Sequence, residues 1–288
     1  MPAAEVDVSV ELVRQLLAEQ QPDLAGLAVG VLANGWDNMV CTVGADLLAR
    51  LPRRALAAEL VAHEQRWLPV LAPRLPLPIP APVRVGRPAL GFPWNWSVVP
   101  FLPGQVAALT APDDLALAAA ALGAFLAALH VQAPPQAPAN PFRGGPLADR
   151  TDRVTEHLGL IASGAEASAA RAIWESAMAA PQWAGPPAWV HGDLHPANIL
   201  VNAGRISAVI DFGDLTSGAP ATDLSVAWML LPAKERAIFW QAYGQADGHT
   251  RARARGWALS LALVFLKNSA DNPLMAAIGK HTLRELLS

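Results

Sequence analysis

The chain changes character once, at Pro103-Gly104, and that change limits its fold more than any other feature. Before it, short apolar runs such as LAVGVLANGWDN, MVCTVGADLLARLP and FPWNWSVVPF are cut by turn residues at Asn34-Gly35, at Gly44-Ala45-Asp46 and at the Pro-Gly pair itself. Short runs with this punctuation read as antiparallel hairpins. After it, apolar residues recur at helical spacing over 113–130, 149–162, 166–180 and most of the stretch from 225 onward. Sheet-forming residues followed by helix-forming residues imply an α+β protein in two parts, with a boundary between residues 102 and 103. A length of 288 residues is also long for one compact core.

Local signals refine this outline. Ser9 caps a helix over 9–20 that lines up Leu12, Leu16 and Leu17 on one face. A second helix over 54–72 is expected to stop near Pro69, and RLPLPIPAPVRVGRP holds too much proline for a helix, so it is a loop leading into edge strands. A strand follows at Trp96–Phe101, where Trp94 and Trp96 read as core residues. Asp113 and Asp114 start the helix that runs to 130. RARARG at 251–256 reads as a solvated helix face.

Hydrophobic residues make up 53% of the chain and charged residues 16%, enough for a large core and against disorder. A formal net charge of -3 argues against a nucleic-acid partner. The single cysteine, Cys41, excludes an intrachain disulfide and fits a buried small side chain. The first residues lack the charged-then-apolar pattern of a signal peptide, so a cytoplasmic location is expected. The apolar run WALSLALVFLK is shorter than the roughly 20 residues needed to span a bilayer, so it reads as a core helix and no membrane association is expected. Nothing in the chain suggests an obligate protein partner.

The chemistry concentrates in VHGDLHPANILV, residues 190–201, and in IDFGD, residues 210–214. Between them the pattern predicts a strand Ile199–Asn202, a tight turn Ala203-Gly204-Arg205 and a second strand Ile206–Ile210. Such a hairpin brings Asp193, Asn198 and Asp211 together, and three oxygen-bearing side chains suit Mg²⁺. A zinc site on His191 and His195 would need a helix, which Pro196 opposes.

HGDLHPANIL followed by IDFGD resembles the catalytic loop and metal-binding segment of the aminoglycoside phosphotransferase family, the small-molecule branch of the protein-kinase-like fold. Asp193 and Asn198 keep the kinase spacing of Asp and Asn, with Gly192 in place of the kinase Arg. The resemblance spans the chain in order and implies a two-lobed fold, with an antiparallel-sheet nucleotide-binding lobe over 1–102 and a larger helical catalytic lobe over 103–288. It implies that Asp193 is the catalytic base, that Asn198 and Asp211 hold Mg²⁺, and that His191, His195, Asp214 and Asp223 support the loop. In the first lobe it implies that Arg50, where the family usually has Lys, clamps ATP or GTP phosphates and pairs with a helix glutamate, Glu64 first and Glu59 second. Asn34, Asp37 and Asn38 would lie in the phosphate-covering hairpin, and Val98, Val99 and Phe101 would line the base pocket.

The implied reaction is transfer of the γ-phosphate of ATP or GTP to a hydroxyl of a small molecule. An antibiotic such as an aminoglycoside or macrolide is the leading acceptor. The late helices carry few acids, which leans away from polycations. A metabolic alcohol such as homoserine, choline or a sugar is the alternative, and a nucleotide-binding relative without catalysis the other.

Overall fold

The computed structural model describes residues 3–35, 37–161 and 163–288. Contacts divide the chain into two units, one running to Arg74 with Pro78–Pro103 and the other comprising Leu75–Leu77 with Gly104–Ser288. The protein is α+β: a mainly sheet unit precedes a mainly helical one.

The first unit begins with helix α1 (Val10–Gln20), whose N-cap Ser9 hydroxyl accepts the Leu12 N–H at 3.1 Å. Strands β1 (Val29–Asn34), β2 (Asn38–Val43) and β3 (Leu47–Pro52) then form a meander. Helix α2 (Ala55–Leu71) follows, then β4 (Arg84–Gly86) and β5 (Trp96–Pro100). The sheet order is β1-β2-β3-β5-β4, with every neighbour antiparallel. Strand alternation sends Met39, Cys41, Val43, Ala49, Leu51, Trp96 and Val98 into one core with Val13, Leu16 and Leu17 of α1. Gly86 is required there, because a Cβ at that position would lie 1.8 Å from the Trp96 ring. The opposite face meets α2, where Gln65 Nε2 donates to Trp96 O at 2.9 Å and to Ser97 Oγ at 3.0 Å.

Helix α2 does not stop at Pro69 but runs to Leu71. Proline costs one hydrogen bond in the last turn, while its fixed φ suits a helix and burial of Leu68 and Leu71 outweighs the loss.

The second unit opens with the two-residue strand β6 (Gln105–Val106) and helix α3 (Leu115–Leu129), whose N-cap Asp114 accepts from Ala116 and Leu117 N–H. Helices α4 (Thr151–His157) and α5 (Gly164–Ala179) lead to strand β7 (Ala188–Val190). A hairpin of β8 (Ile199–Asn202) and β9 (Arg205–Val209) pairs through β8 with β6, and β10 (Thr216–Gly218) pairs with β7. The turn has two residues, not three: Ala203 and Gly204 both take positive φ, +48° and +72°, and Arg205 already pairs with Asn202. Two positive φ values make the turn whose twist matches the flanking strands.

Helices α6 (Ala221–Leu224), α7 (Val226–Leu230), α8 (Ala233–Tyr243), α9 (Gly248–Asn268) and α10 (Pro273–Leu287) complete the unit. Helix α9 is buried over most of its length. The basic cluster in it is a solvated face only in part, at the exposed Arg251. Arg253 is buried and its guanidinium donates to Pro181 O, and Arg255 donates to Leu286 O at 2.7 Å. Both guanidinium groups donate to backbone carbonyls of other segments. Among the described residues no helix is long and apolar enough to cross a membrane.

Candidate active site

The loop between β7 and β8 holds residues 191–198, and its conformation is set from beneath by Asp223. That carboxylate is fully buried and accepts the His191 N–H at 2.7 Å and the Gly192 N–H at 2.9 Å. His130 Nε2 lies 3.1 Å from the same group, and His130 Nδ1 lies 3.0 Å from the hydroxyl of Tyr243. Burial and the nearby Asp223 charge push the Tyr243 phenol well above its ordinary pKa, so it stays protonated as a donor. Gly192 sits at φ +89°, and a Cβ there would lie 2.3 Å from Asp214 O. Only glycine permits this approach of the 192 and 214 backbones.

His191 is buried and braces the loop. Asp193 N–H donates to its Nδ1 at 3.2 Å, so the ring proton sits on Nε2 and donates to Ile210 O at 3.0 Å. Asn198 ends a short 3₁₀ turn. Its Nδ2 donates to Asp193 O at 2.9 Å, and its carbonyl accepts the Ile210 N–H at 2.9 Å. The loop's start and end, and the residue before Asp211, are thereby tied into one rigid piece.

Asp193 is half-buried and flanked by two partners. Arg143 Nη2 donates to its Oδ1 at 3.0 Å, and His195 Nε2 lies 3.3 Å from its Oδ2. Burial pushes the Asp193 carboxyl up, but the His195 hydrogen bond and the Arg143 charge outweigh it and hold the group far below the usual carboxylate range. Asp214 lies 3.3 Å from Arg143 Nε and accepts from Asn140 Nδ2 at 2.8 Å. Burial, with repulsion from Asp193 and Asp211, raises its pKa. Asp211 takes φ +63° and its side chain is exposed.

A bound Mg²⁺ fits this donor set as a shared site. With Nδ2 of Asn198 committed to Asp193 O, its Oδ1 remains an acceptor, and Asp211 offers an exposed carboxylate. No group of three or more His, Cys, Asp or Glu among the described residues forms a closed metal cage. Mg²⁺ bound by one or two protein oxygens plus substrate phosphates needs none.

In the first unit, Arg50 on β3 reaches Glu64 on α2, with Nη1 at 3.0 and 2.9 Å from the two carboxylate oxygens. Glu64 is 2% exposed. The neighbouring arginines serve the β1–β2 turn instead: Arg54 pairs with Asp37, and Arg53 Nη1 donates to Gly35 O at 2.9 Å. Gly35 N–H is already taken by Asn38 O at 2.9 Å, so this turn amide is spent inside the hairpin. Asn34 is exposed and Asn38 half-buried. Val98 is fully buried. Alternation places it in the core with Trp96, while Val99 is buried on the opposite face and Phe101 is exposed.

Three site residues escaped the sequence: Arg143, Asn140 and His130. They reach their partners across 50, 74 and 93 residues respectively. Asn140 and Arg143 lie in a Pro/Gly-rich loop without periodicity, where the one local signal is an arginine before paired glycines in NPFRGG, and His130 ends a helix whose apolar pattern does not mark it out.

A sheet unit followed by a helical unit bearing this loop and hairpin is the protein-kinase-like α+β fold. The chain belongs to the phosphotransferase enzyme family, whose model matches residues 29–257. Its fold is shared with the GDP and kanamycin complex of APH(2")-IIia, at a TM-score of 0.71 and 19% identity over 95% of this chain and 97% of that one. It is shared also with macrolide 2'-phosphotransferase MphH from Brachybacterium faecium, at a TM-score of 0.62 and 23% identity over 97% of each chain. Among curated proteins, YcbJ of Bacillus subtilis is 33% identical over 72 residues, 25% of this chain and 24% of that protein. The chain thus matches only about a quarter of that relative's length.

Proposed function

We propose that the protein transfers the γ-phosphoryl group of a purine nucleoside triphosphate, ATP or GTP, to a hydroxyl of a small molecule. The observation that carries this reading is the Asp193 carboxylate, ionised at neutral pH and fixed on a loop whose backbone is held at both ends by Asp223 and Asn198. Phosphoryl transfer asks mainly for positioning and charge stabilisation. Asp193 accepts the hydrogen bond of the acceptor hydroxyl, aligns its oxygen, and takes the proton as the bond to the γ-phosphorus forms and the bond from that phosphorus to the β–γ bridging oxygen breaks, releasing the nucleoside diphosphate. A carboxylate of low basicity suffices when the transition state is loose and the proton leaves late.

Asn198 and Asp211 would hold Mg²⁺, which when bound neutralises phosphate charge. Arg50, oriented by Glu64, supplies the cation for the α- and β-phosphates. The solved relatives of this fold include one complexed with GDP and kanamycin and one named for a macrolide acceptor, which supports an antibiotic-like alcohol as acceptor class.

The test is Asp193→Asn, which keeps size and hydrogen bonding but removes charge and basicity. With labelled ATP and GTP and a panel of antibiotics and metabolic alcohols, kcat should fall by roughly 10²–10⁴, with nucleotide affinity little changed. An unchanged rate would reject Asp193 as the base. Nucleotide binding without transfer to any acceptor would favour a non-catalytic relative.

A further inference from the structure

We infer that Arg143 is a positioning residue for the transfer, one that fixes the plane of the Asp193 carboxylate from outside the loop that carries it; this rests on Asp193 being the base, as proposed above. The hydrogen bonds to Asp223, His191 and Asn198 fix the loop's backbone, and none of them touches the Asp193 carboxylate. That side chain still has χ1 and χ2 to settle. Two contacts settle them: Arg143 Nη2 donates to Oδ1 at 3.0 Å, and His195 Nε2 lies 3.3 Å from Oδ2. Holding one oxygen alone would leave the carboxylate free to turn about it. Holding each oxygen from a different segment fixes the plane.

Charge is the reason a cation is needed here. The Asp193 carboxylate stands among like charges, and Asp214 feels both Asp193 and Asp211 as repulsive neighbours. Left alone, the Asp193 carboxylate would turn away from Asp214 toward water. Arg143 lies between the two, with Nη2 on Asp193 and Nε 3.3 Å from Asp214 Oδ2. The Nε contact is an ion pair without an aligned hydrogen bond. Two nitrogens of one planar group thus hold two carboxylates in a set relation. A lysine ammonium, a point charge on a flexible stem, would do this less well.

The clamp is itself anchored. Asn140 Nδ2 donates to Asp214 Oδ1 at 2.8 Å while Asn140 Oδ1 accepts the Phe142 N–H at 2.8 Å, so the loop grips Asp214 through both Asn140 and Arg143. The same loop is strapped to the β10 segment. Ser217 N–H donates to Pro138 O at 3.0 Å, Ala219 N–H to Gly144 O at 2.8 Å, and Gly144 N–H to Thr222 Oγ1 at 3.3 Å. Gly144 and Gly218 press together so closely that a Cβ on Gly218 would fall 2.2 Å from Gly144 O. Arg150 Nη2 donates to Pro141 O at 3.2 Å. His195 is buried, its ring T-shaped against Phe265 of α9 with centroids 5.7 Å apart. Both donors are therefore held by packing that Asp193 does not supply. Alignment is what phosphoryl transfer most needs, and a misplacement of about 1 Å can cost about 10²-fold in rate.

The test uses the full chain with Mg²⁺ and ATP or GTP, and kanamycin, erythromycin, choline and water as acceptors. In Arg143→Ala, kcat should fall by about 10–100-fold while acceptor KM and nucleotide Kd stay within about threefold, since alignment and not binding is lost. Added methylguanidinium should recover most of that loss, and Arg143→Lys should fall between wild type and Arg143→Ala. A purely structural role would lower the melting temperature without leaving a folded variant that methylguanidinium rescues. The wild type gives a readout that needs no Arg143 variant. With isotope-labelled arginine, the Arg143 Nη nitrogens should give separate NMR signals, as they do where rotation about Cζ–Nη is slow, and their exchange should speed up in Asp193→Asn. The inference is overturned if folded Arg143→Ala keeps kcat within about threefold of wild type, or if the whole loss lies in KM. It is also overturned if methylguanidinium rescues nothing, or if the Nη signals are already averaged in the wild type. A wild type that transfers phosphate to none of the acceptors refutes the phosphotransferase reading, and the catalytic role of Arg143 with it. A wild type that transfers, alongside an Arg143→Ala that transfers equally well, sinks only the role of Arg143.

Discussion

Replacing Asp223 with asparagine tests how the catalytic loop is held. The native carboxylate accepts two backbone N–H groups, at 2.7 and 2.9 Å, inside a fully buried pocket that also contains His130 at 3.1 Å. Asparagine keeps one acceptor oxygen and turns an NH₂ group toward the other partner. One charge-assisted bond is lost, a neutral one replaces the other, and a buried N–H is left facing a donor. A hydrogen bond to a charged group contributes about 1.5–3 kcal/mol and an orphaned buried donor costs a similar amount. With partial relaxation the local cost should be about 2–3 kcal/mol, which is roughly 30–150-fold in an opening equilibrium. Hydrogen exchange at the His191 and Gly192 amides reads this directly. Both should be strongly protected in the wild type and lose protection by that factor in Asp223→Asn, while amides in the β1–β2 hairpin, which Asp223 does not touch, stay unchanged. If protection of the two loop amides changes by less than about threefold, Asp223 is not what orders the loop.

Three further outcomes follow from the same geometry. Arg50→Ala should destabilise the first unit by about 3–5 kcal/mol in urea unfolding, because it strands the buried Glu64 carboxylate, whereas Arg50→Lys, which keeps a positive charge, should cost less; equal effects would mean that charge compensation of Glu64 is not what stabilises the unit. Gly192→Ala should cost roughly 3 kcal/mol or more, from a positive φ and a Cβ aimed at Asp214 O, and a melting temperature equal to wild type would show that the 192 and 214 backbones can part easily. The Asp193 carboxyl is held below its ordinary range, so its pairing stabilises the fold above about pH 4 and that contribution is lost as pH falls further. The stability gap between wild type and Asp193→Asn should therefore shrink from pH 7 to about pH 3 in urea titrations, and a gap that widened would contradict the pairing with Arg143 and His195.

What the chain determines locally is what short-range physics governs. Apolar runs broken by Asn-Gly and Pro-Gly specify hairpins, Ser9 and Asp114 start their helices by capping, and Asn198 meets Asp193 O and the Ile210 N–H because all three flank one hairpin. Arg50 and Glu64 meet because strand alternation and helical periodicity each give one face to the other. The tertiary structure decided the rest. Nothing local signals that Arg143 reaches Asp193, that Asp37 is claimed by Arg54, or that Arg253 turns inward to a carbonyl. These are contacts between distant segments, chosen by which buried charge or carbonyl lacks a partner once the chain is packed. A propensity read over a dozen residues contains no information about that need, since the partner that creates it comes from another part of the fold.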